Sequence, residues 1–436
     1  MGITSAFFTA TSGINATSRA LSEIGNNISN AQTVGFKSRN VTFGDLFGAT
    51  LGGGGTTNSL VEGRGVRVLG IDPSFTQGSL QTTSNAMDLA IDGDGFFEVK
   101  DSNGTSFFTR AGQFGVDGSG NIVNPENLKL QGFQADATGT ILVSKGDLVL
   151  TTTQQPGTAT TKVTMSGNLQ ASLPVTTFSI ANPIGTSNFS TGVKVFDSLG
   201  VGHDVTVYFS KTTANTFAYN VVAATSEVNS SSTSGTNALV AQGTLGFTTG
   251  GLLDTESGVT YFNPTTNGID FTGATTAQAV AFDFGTSITT DSGAGTDGIL
   301  EQGGNSVILT LSQDGFANGT LTGTSIGENG IITGKFSNGT SRNLGQVTLT
   351  RFNNPDGLQP VGRNVFVQTS DSGTPLSGKP SSGAFGKIFA NSLESSNVDL
   401  GDELVNMITM QRNFQSNSRV ITTTNTLLGD LVNLIR

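Results

Sequence analysis

The sequence predicts a multidomain, mainly β protein: β-sandwich or barrel-like domains, one discontinuous with a second inserted in it, and N- and C-terminal α-helices forming a coiled-coil-like layer. Three observations carry this. Apolar residues recur at alternating steps of four and three at both ends of the chain. Between the ends, short alternating runs are separated by Gly-, Asn-, Ser- and Thr-rich turns, the mark of strands. Two similar hairpins flank a long middle segment, as they do when one domain is built from two distant parts of a chain.

A chain of 436 residues can form two or three domains, each with its own core, and 29 Phe residues supply apolar surface enough to exclude disorder throughout. Charged residues make up only 12%. The net charge of −11, without a Lys/Arg run, argues against nucleic acid and against anionic membrane surfaces. Cysteine is absent, which removes disulfides, thiolate metal sites and Cys nucleophiles together. Arg19 is the first positive side chain and no adequate apolar run follows Met1, so no cleaved secretory signal is expected. Ala6 breaks the myristoylation pattern, and no apolar run is long enough to span a bilayer.

The N-terminal stripe is Ile3, Phe7, Ala10, Ile14, Thr17, Leu21, Ile24, Ile28 and Ala31; only Thr17 is polar. The C-terminal stripe is Leu400, Leu404, Met407, Gln411, Phe414, Ser418, Ile421, Asn425, Leu428, Val432 and Ile435, with Asp399 placed to cap its start and Asp402 and Glu403 in the first turn. At 1.5 Å per residue these helices reach roughly 43 and 55 Å, long for a small-domain core. They are weak alone: Gly13 and Gly25 each cost about 1 kcal/mol relative to Ala, so the isolated N-terminal segment is expected to be mostly unfolded until a partner orders it. That partner can be the other terminal helix, within one globular domain, or another copy.

The expected divisions are a terminal helical domain over 1–32 and 394–436, a linker or arm over 33–71, an inner β domain over 72–150 and 314–393, and an inserted outer β domain over 151–313. "LGGGGTTNS", Leu51 to Ser59, reads as a flexible linker. Phe96 to Arg110 reads as a hairpin around Asn103-Gly104, and Gly330 to Phe352 as another around Asn338-Gly339. The insertion, with strands such as "VKVFDSLGVGHDVTVYF", reads as an all-β sandwich or barrel.

Chemistry is scarce. Gly323-Thr324-Ser325-Ile326-Gly327 matches a hydrolase nucleophile elbow, but the single histidine, His203, precedes it, and a Gly-rich turn explains it better. Gly373 to Lys379 approaches a phosphate loop but puts Pro380 at the magnesium-ligand position. Asp92-Gly93-Asp94-Gly95 begins like a calcium loop and then places Phe96 and Phe97 where a ligand and a glycine belong, so a tight turn is expected. His203 beside Asp204 reads as a strand residue on a partly exposed face. The Asn-x-Ser/Thr sites at Asn103, Asn318 and Asn338 fall in Asn-Gly turns. No catalytic, cofactor or metal residue is proposed, and no enzyme is expected.

Three blocks carry a resemblance. "SGINATSRALSEIGNNISNAQTVGFKS" resembles the N-terminal motif of the bacterial flagellar rod and hook proteins, "ANSLESSNVDLGDELVNMITMQRNFQSNSRVITTTNTLL" their C-terminal motif, and "QGSLQTTSNAMDLAIDGDGFF" the start of their shared β domain. Within that axial-protein family the large middle insertion is similar to hook members; the Gly-rich arm before Gly63 is similar to an insert of distal rod members. The resemblance implies a tubular homopolymer, a flexible coupling transmitting torque from rod to filament, with terminal helices lining the tube and β domains outside. It implies export by the flagellar type III apparatus, an extracellular hook location, and contacts with rod, hook-cap and hook–filament junction proteins. The implied assembly interface is Ile3, Phe7, Ile14, Leu21, Ile24, Ile28, Leu400, Leu404, Met407, Phe414, Ile421, Leu428, Val432 and Ile435. The rival from another class is a monomeric, β-rich surface or adhesive protein whose terminal helices form an internal hairpin.

Overall fold

The terminal periodicities become two long helices, α1 (Gly2–Ser29) and α2 (Leu400–Leu434). The computed structural model describes residues 2–46, 49–51, 60–150, 154–263 and 267–434. Asp399 starts α2 as its spacing predicts: its Oδ1 accepts the N–H groups of Gly401 at 2.8 Å and Asp402 at 3.3 Å. The helices run antiparallel, with Asn27 meeting Glu403 near one end and Gly13 lying against Asn417 toward the other.

The chain forms two compact units, one comprising 1–151, 323–335 and 341–436, the other 152–322 and 336–340. In the first unit, α1 is followed by an antiparallel pair of strands, Arg39–Asp45 and Val66–Pro73, that lies against it. The expected Gly-rich linker falls mostly at 52–59, outside the described residues. The β body is woven from both halves of the chain. Phe97 pairs with Leu349, and Gly132 with Val347, so neither half completes the sheet alone. Its aromatic centre has the same mixed origin: Phe75, Phe96 and Phe108 meet Phe352, Leu358 and Phe366, with Phe108 and Phe352 edge to face at 4.8 Å.

The hairpin expected at Phe96 to Arg110 is present, pairing Phe96–Lys100 with Ser106–Thr109. Its turn is built differently from a two-residue Asn-Gly turn. Asp101 Oδ1 accepts the N–H groups of Asn103 at 3.0 Å and Thr105 at 2.8 Å, and Gly104 takes the positive φ, 85°. The same device recurs at Asp117, Asp136 and Asp197, each accepting from residues two and four positions on, with Gly120, Gly139 and Gly200 at positive φ. The sequence signal is therefore Asp-x-x-Gly, a local hydrogen-bond template.

The second unit is a sandwich of two sheets. One is antiparallel, with Phe189–Phe196, Gly202–Thr213, Thr216–Ala224 and Asn237–Phe247 in spatial order. In the other, Lys162–Gln170 pairs in parallel with Ala281–Asp283 and Ile299–Gln302 on one side and antiparallel with Val307–Gln313 on the other. Val205, Val207, Phe209, Phe217 and Tyr219 from the first sheet meet Val163, Met165, Phe282 and Phe284 in one buried core. Lys211 reaches Glu301 at 2.8 Å, a buried ion pair joining the sheets. Residues 336–340 belong to this unit through Asn338, which donates to the Ala317 carbonyl at 2.8 Å, and Thr340, which donates to Gln155 at 2.9 Å.

Candidate functional site: the terminal helix pair and its polar joint

Small side chains set the contact of α1. Ala10, Gly13, Ala16, Thr17, Ala20, Ile24 and Asn27 are buried, between α2 and the strand pair that follows α1. The predicted stripe shares Ala10, Thr17 and Ile24 with this face; at its alternate positions, Ile14, Leu21 and Ile28, the larger residues are half-buried at the flank. Close backbone approach favours the small residue next door. At Gly13 an added Cβ would lie 2.6 Å from Asn417 Nδ2. On α2, Glu403 and Thr424 are buried and Met407, Met410, Asn417 and Ile421 half-buried.

The remaining expected interface residues lie on the open side. Phe7, Leu400, Leu404, Phe414 and Leu428 are exposed, as are Phe8, Val405, Ile408 and Leu427, which the predicted stripe does not contain. Ile3 and Val432 lie in the helices with side chains outside the described residues, and Ile435 is outside them altogether. The helix pair thus buries small and polar groups within the chain and turns large apolar ones outward.

At the base of the pair sits a polar joint that periodicity could not reveal. Asn27 Nδ2 donates to Glu403 Oε1 at 2.8 Å and to the Arg39 carbonyl at 2.9 Å, while its Oδ1 accepts the Arg39 N–H at 3.0 Å. Lys37 Nζ donates to Glu394 Oε1 at 2.6 Å and to the Thr76 carbonyl at 2.6 Å; both charged side chains are fully buried. Glu394 Oε2 lies 3.4 Å from Arg110 Nη1, and the Gly78 N–H also donates to this carboxylate at 3.0 Å. Asn397 accepts from Ser38 N–H at 2.7 Å and donates to Ser74 and Thr76. Desolvation pulls the Lys37 ammonium below its ordinary range, with Glu394 opposing that shift; burial also lowers the Arg110 guanidinium, again against Glu394. Only excellent pairing makes so much buried charge tolerable. The joint's signal in the sequence was compositional: Glu394 stands alone in a charge-poor stretch, and Lys37 with Arg39 is a brief basic pair in another.

The sequence's chemical near-matches resolve as architecture. Ser325 lies within strand Gly319–Ile326, with no strand-to-helix elbow. Residues 376–378 of the phosphate-loop look-alike form a strand, and 93–95 of the calcium-like run join strands Leu89–Asp92 and Phe96–Lys100. Among the described residues no group of three or more acidic or His side chains could hold a metal ion. His203 corrects the expectation of a partly exposed face. It is buried, stacked on Phe271 at 4.3 Å, with Nδ1 3.1 Å from Glu227 and Nε2 3.3 Å from Asp197. The Asp197 turn folds back over it, which strand alternation alone does not show.

Two long terminal helices with outward apolar residues, joined to a β body drawn from both chain ends, define the class: a multidomain, mainly β protein with paired terminal helices. Family models agree along the chain: the flagella basal body rod protein model matches residues 7–37, the flagellar hook protein FlgE/F/G D1 domain 90–171, the flagellar basal body protein FlaE D2 domain 158–316, and the flagellar basal body rod FlgEFG protein C-terminal model 390–434. The flagellar hook protein FlgE of Salmonella typhimurium is 36% identical over 434 residues, covering 98% of this chain and 99% of that protein. FlgE of Escherichia coli is 36% identical over 436 residues, and that of Borreliella burgdorferi 33% over 452, each covering 98% of this chain and at least 98% of the relative. The chain belongs to the flagellar hook protein family.

Proposed function

We propose that this chain is the structural subunit of a bacterial flagellar hook, a tubular homopolymer that couples rod to filament and transmits torque while bending. The observation that carries the mechanism is the split character of the helix pair. Its inner contact is closed with Ala, Gly, Thr and Asn, whereas Phe8, 69% exposed, and Val405, 63% exposed, stand with Leu404 and Ile408 on faces that the chain itself does not cover. In a polymer those side chains leave water against neighbouring copies, a gain of roughly 1.5–3 kcal/mol for each large side chain fully buried. Heterologous contacts that do not close generate such an open filament.

The polar joint gives the mechanism its stiffness. Torque borne by the helices reaches the β body through Asn27, Lys37, Glu394 and Asn397 rather than through a bare linker. The sandwich unit, tied together by its own core, is a self-contained module able to shift against neighbouring copies as the tube curves. Export of the subunit as an unfolded chain, an extracellular location, and contacts with rod, cap and junction proteins belong to the same reading; family membership supports them, and the weak helix propensity of α1 suits an exported unfolded chain.

The test is assembly of purified full-length protein at high concentration, viewed by negative-stain microscopy. Wild type should give short curved tubes. Val405→Asp with Ile408→Asp, at exposed positions, should leave the monomer folded and abolish tubes. Normal tubes from that variant would refute assembly through the helices, and straight tubes from wild type would favour a rod role.

A further inference from the structure

The exposed charges of α2 form a sparse, symmetric pattern. Along its whole length there are only five charged side chains between Leu400 and Leu434: Asp402, Glu403, Arg412, Arg419 and Asp430. Glu403 is buried and bonded to Asn27, and the other four are exposed. Among the described residues none of the four makes an ion pair. The order along the helix is therefore acid, base, base, acid.

We infer that these four charges set the axial offset between α2 helices of neighbouring copies, packed side by side and parallel, at about 16 Å or about 26 Å, and exclude level packing; this rests on the reading that copies assemble through their helices. Ten residues separate Asp402 from Arg412, and eleven separate Arg419 from Asp430. Sliding one copy by ten to eleven residues, about 16 Å at 1.5 Å per residue, brings both pairs level at once. Asp402 to Arg419 is seventeen residues and Arg412 to Asp430 eighteen, so a slide of about 26 Å also matches both. Each helix in a tube wall has more than one neighbour, so the two offsets can serve different contacts.

With no offset, every charge faces its own kind. Like charges side by side repel, and in a wall that excludes water an unpaired guanidinium is costly. Arg19 of α1, exposed and close to the level of Arg412 in the antiparallel pair, adds to the central basic zone, while Glu23 lies one turn toward the base. Because the remaining charge on α2, Glu403, is buried against Asn27, no other exposed charge on it blurs the preference. Apolar contacts hold the copies together; the charges choose where they stop sliding.

The experiment uses full-length protein, with tube yield and critical concentration measured at low and high salt. Arg412→Glu with Arg419→Glu makes the exposed charges all acidic, and should raise the critical concentration at least tenfold at low salt, with partial recovery at high salt where repulsion is screened. Inverting all four (Asp402→Arg, Arg412→Asp, Arg419→Asp, Asp430→Arg) restores complementarity and should restore tubes. Circular dichroism and unfolding midpoints confirm that each monomer folds. Wild-type assembly by the double variant, or no recovery in the fourfold variant, overturns the inference. If the double variant assembles normally while Val405→Asp with Ile408→Asp does not, helix-driven assembly stands and only the charge register falls.

Discussion

The amide of Asn27 lies between Glu403 and the backbone of Arg39, donating to the carboxylate at 2.8 Å and exchanging two hydrogen bonds with the residue that opens the next strand. One uncharged side chain thus ties α1 to α2 and to the strand pair beyond. The task needs a donor and an acceptor on the same short stem, which is what an amide offers and a carboxylate does not. The run of Asn and Ser around it stops looking like poor helix design once that geometry is known.

Asn27→Asp sets a second carboxylate against Glu403 and removes the donor to it. It should destabilise the helix joint by roughly 2–4 kcal/mol, more than Asn27→Ala. Hydrogen exchange of α1 and the denaturant midpoint of the full chain read the difference, and equal effects from the two variants would contradict the donor role.

Glu394 holds two buried cations, so its loss should hurt more than the loss of either one. Lys37→Met should cost about 3–5 kcal/mol, and Glu394→Gln more, because Lys37 and Arg110 are both stranded. Urea titrations of both variants rank them; a milder Glu394→Gln would show that water reaches the joint.

Two helical glycines make a matched pair. A Cβ at Gly25 meets nothing within 4 Å, so Gly25→Ala should stabilise α1 by up to about 1 kcal/mol. At Gly13 the added Cβ meets Asn417, which must turn aside, so Gly13→Ala should gain less or nothing. Thermal melts of the two variants give the comparison.

Glu256 supplies a pH dependence in the sandwich unit. Burial, then Asp283 and Asp291, push its carboxyl up to about 7. The folded form holds its proton to a higher pH than the unfolded chain, whose carboxyl titrates near 4.5. Stability from this group is therefore present at low pH and falls as pH rises from about 4.5 to about 7, then levels off. Glu256→Gln should flatten that fall, raising the melting temperature at pH 8 while changing it little at pH 4.

How far could the sequence be read? Helix starts and ends are local, and so were legible: Asp399 caps α2 through its own neighbours. Hairpins are local as well, although the turn at Asn103-Gly104 is organised by Asp101, three before the glycine, while at Asn338-Gly339 the Asn itself accepts the Thr340 N–H. The mixed origin of the β body was visible in two similar hairpins flanking an insertion, because the pieces repeat.

By itself, then, the sequence determined the helices, the hairpins, the mainly β class and the motifs of a family. Each rests on spacing or on hydrogen bonds between near neighbours, which a linear pattern records. Tertiary structure alone decided which side of each helix closes inward, choosing Gly13 and Ala20 over Ile14 and Leu21, because that choice depends on how closely two backbones can approach. It also decided that Lys37 pairs with Glu394, 357 positions away. No periodicity encodes that pair; it exists because the two chain ends return to the same wall of the β body, where a lone charge could not stay buried.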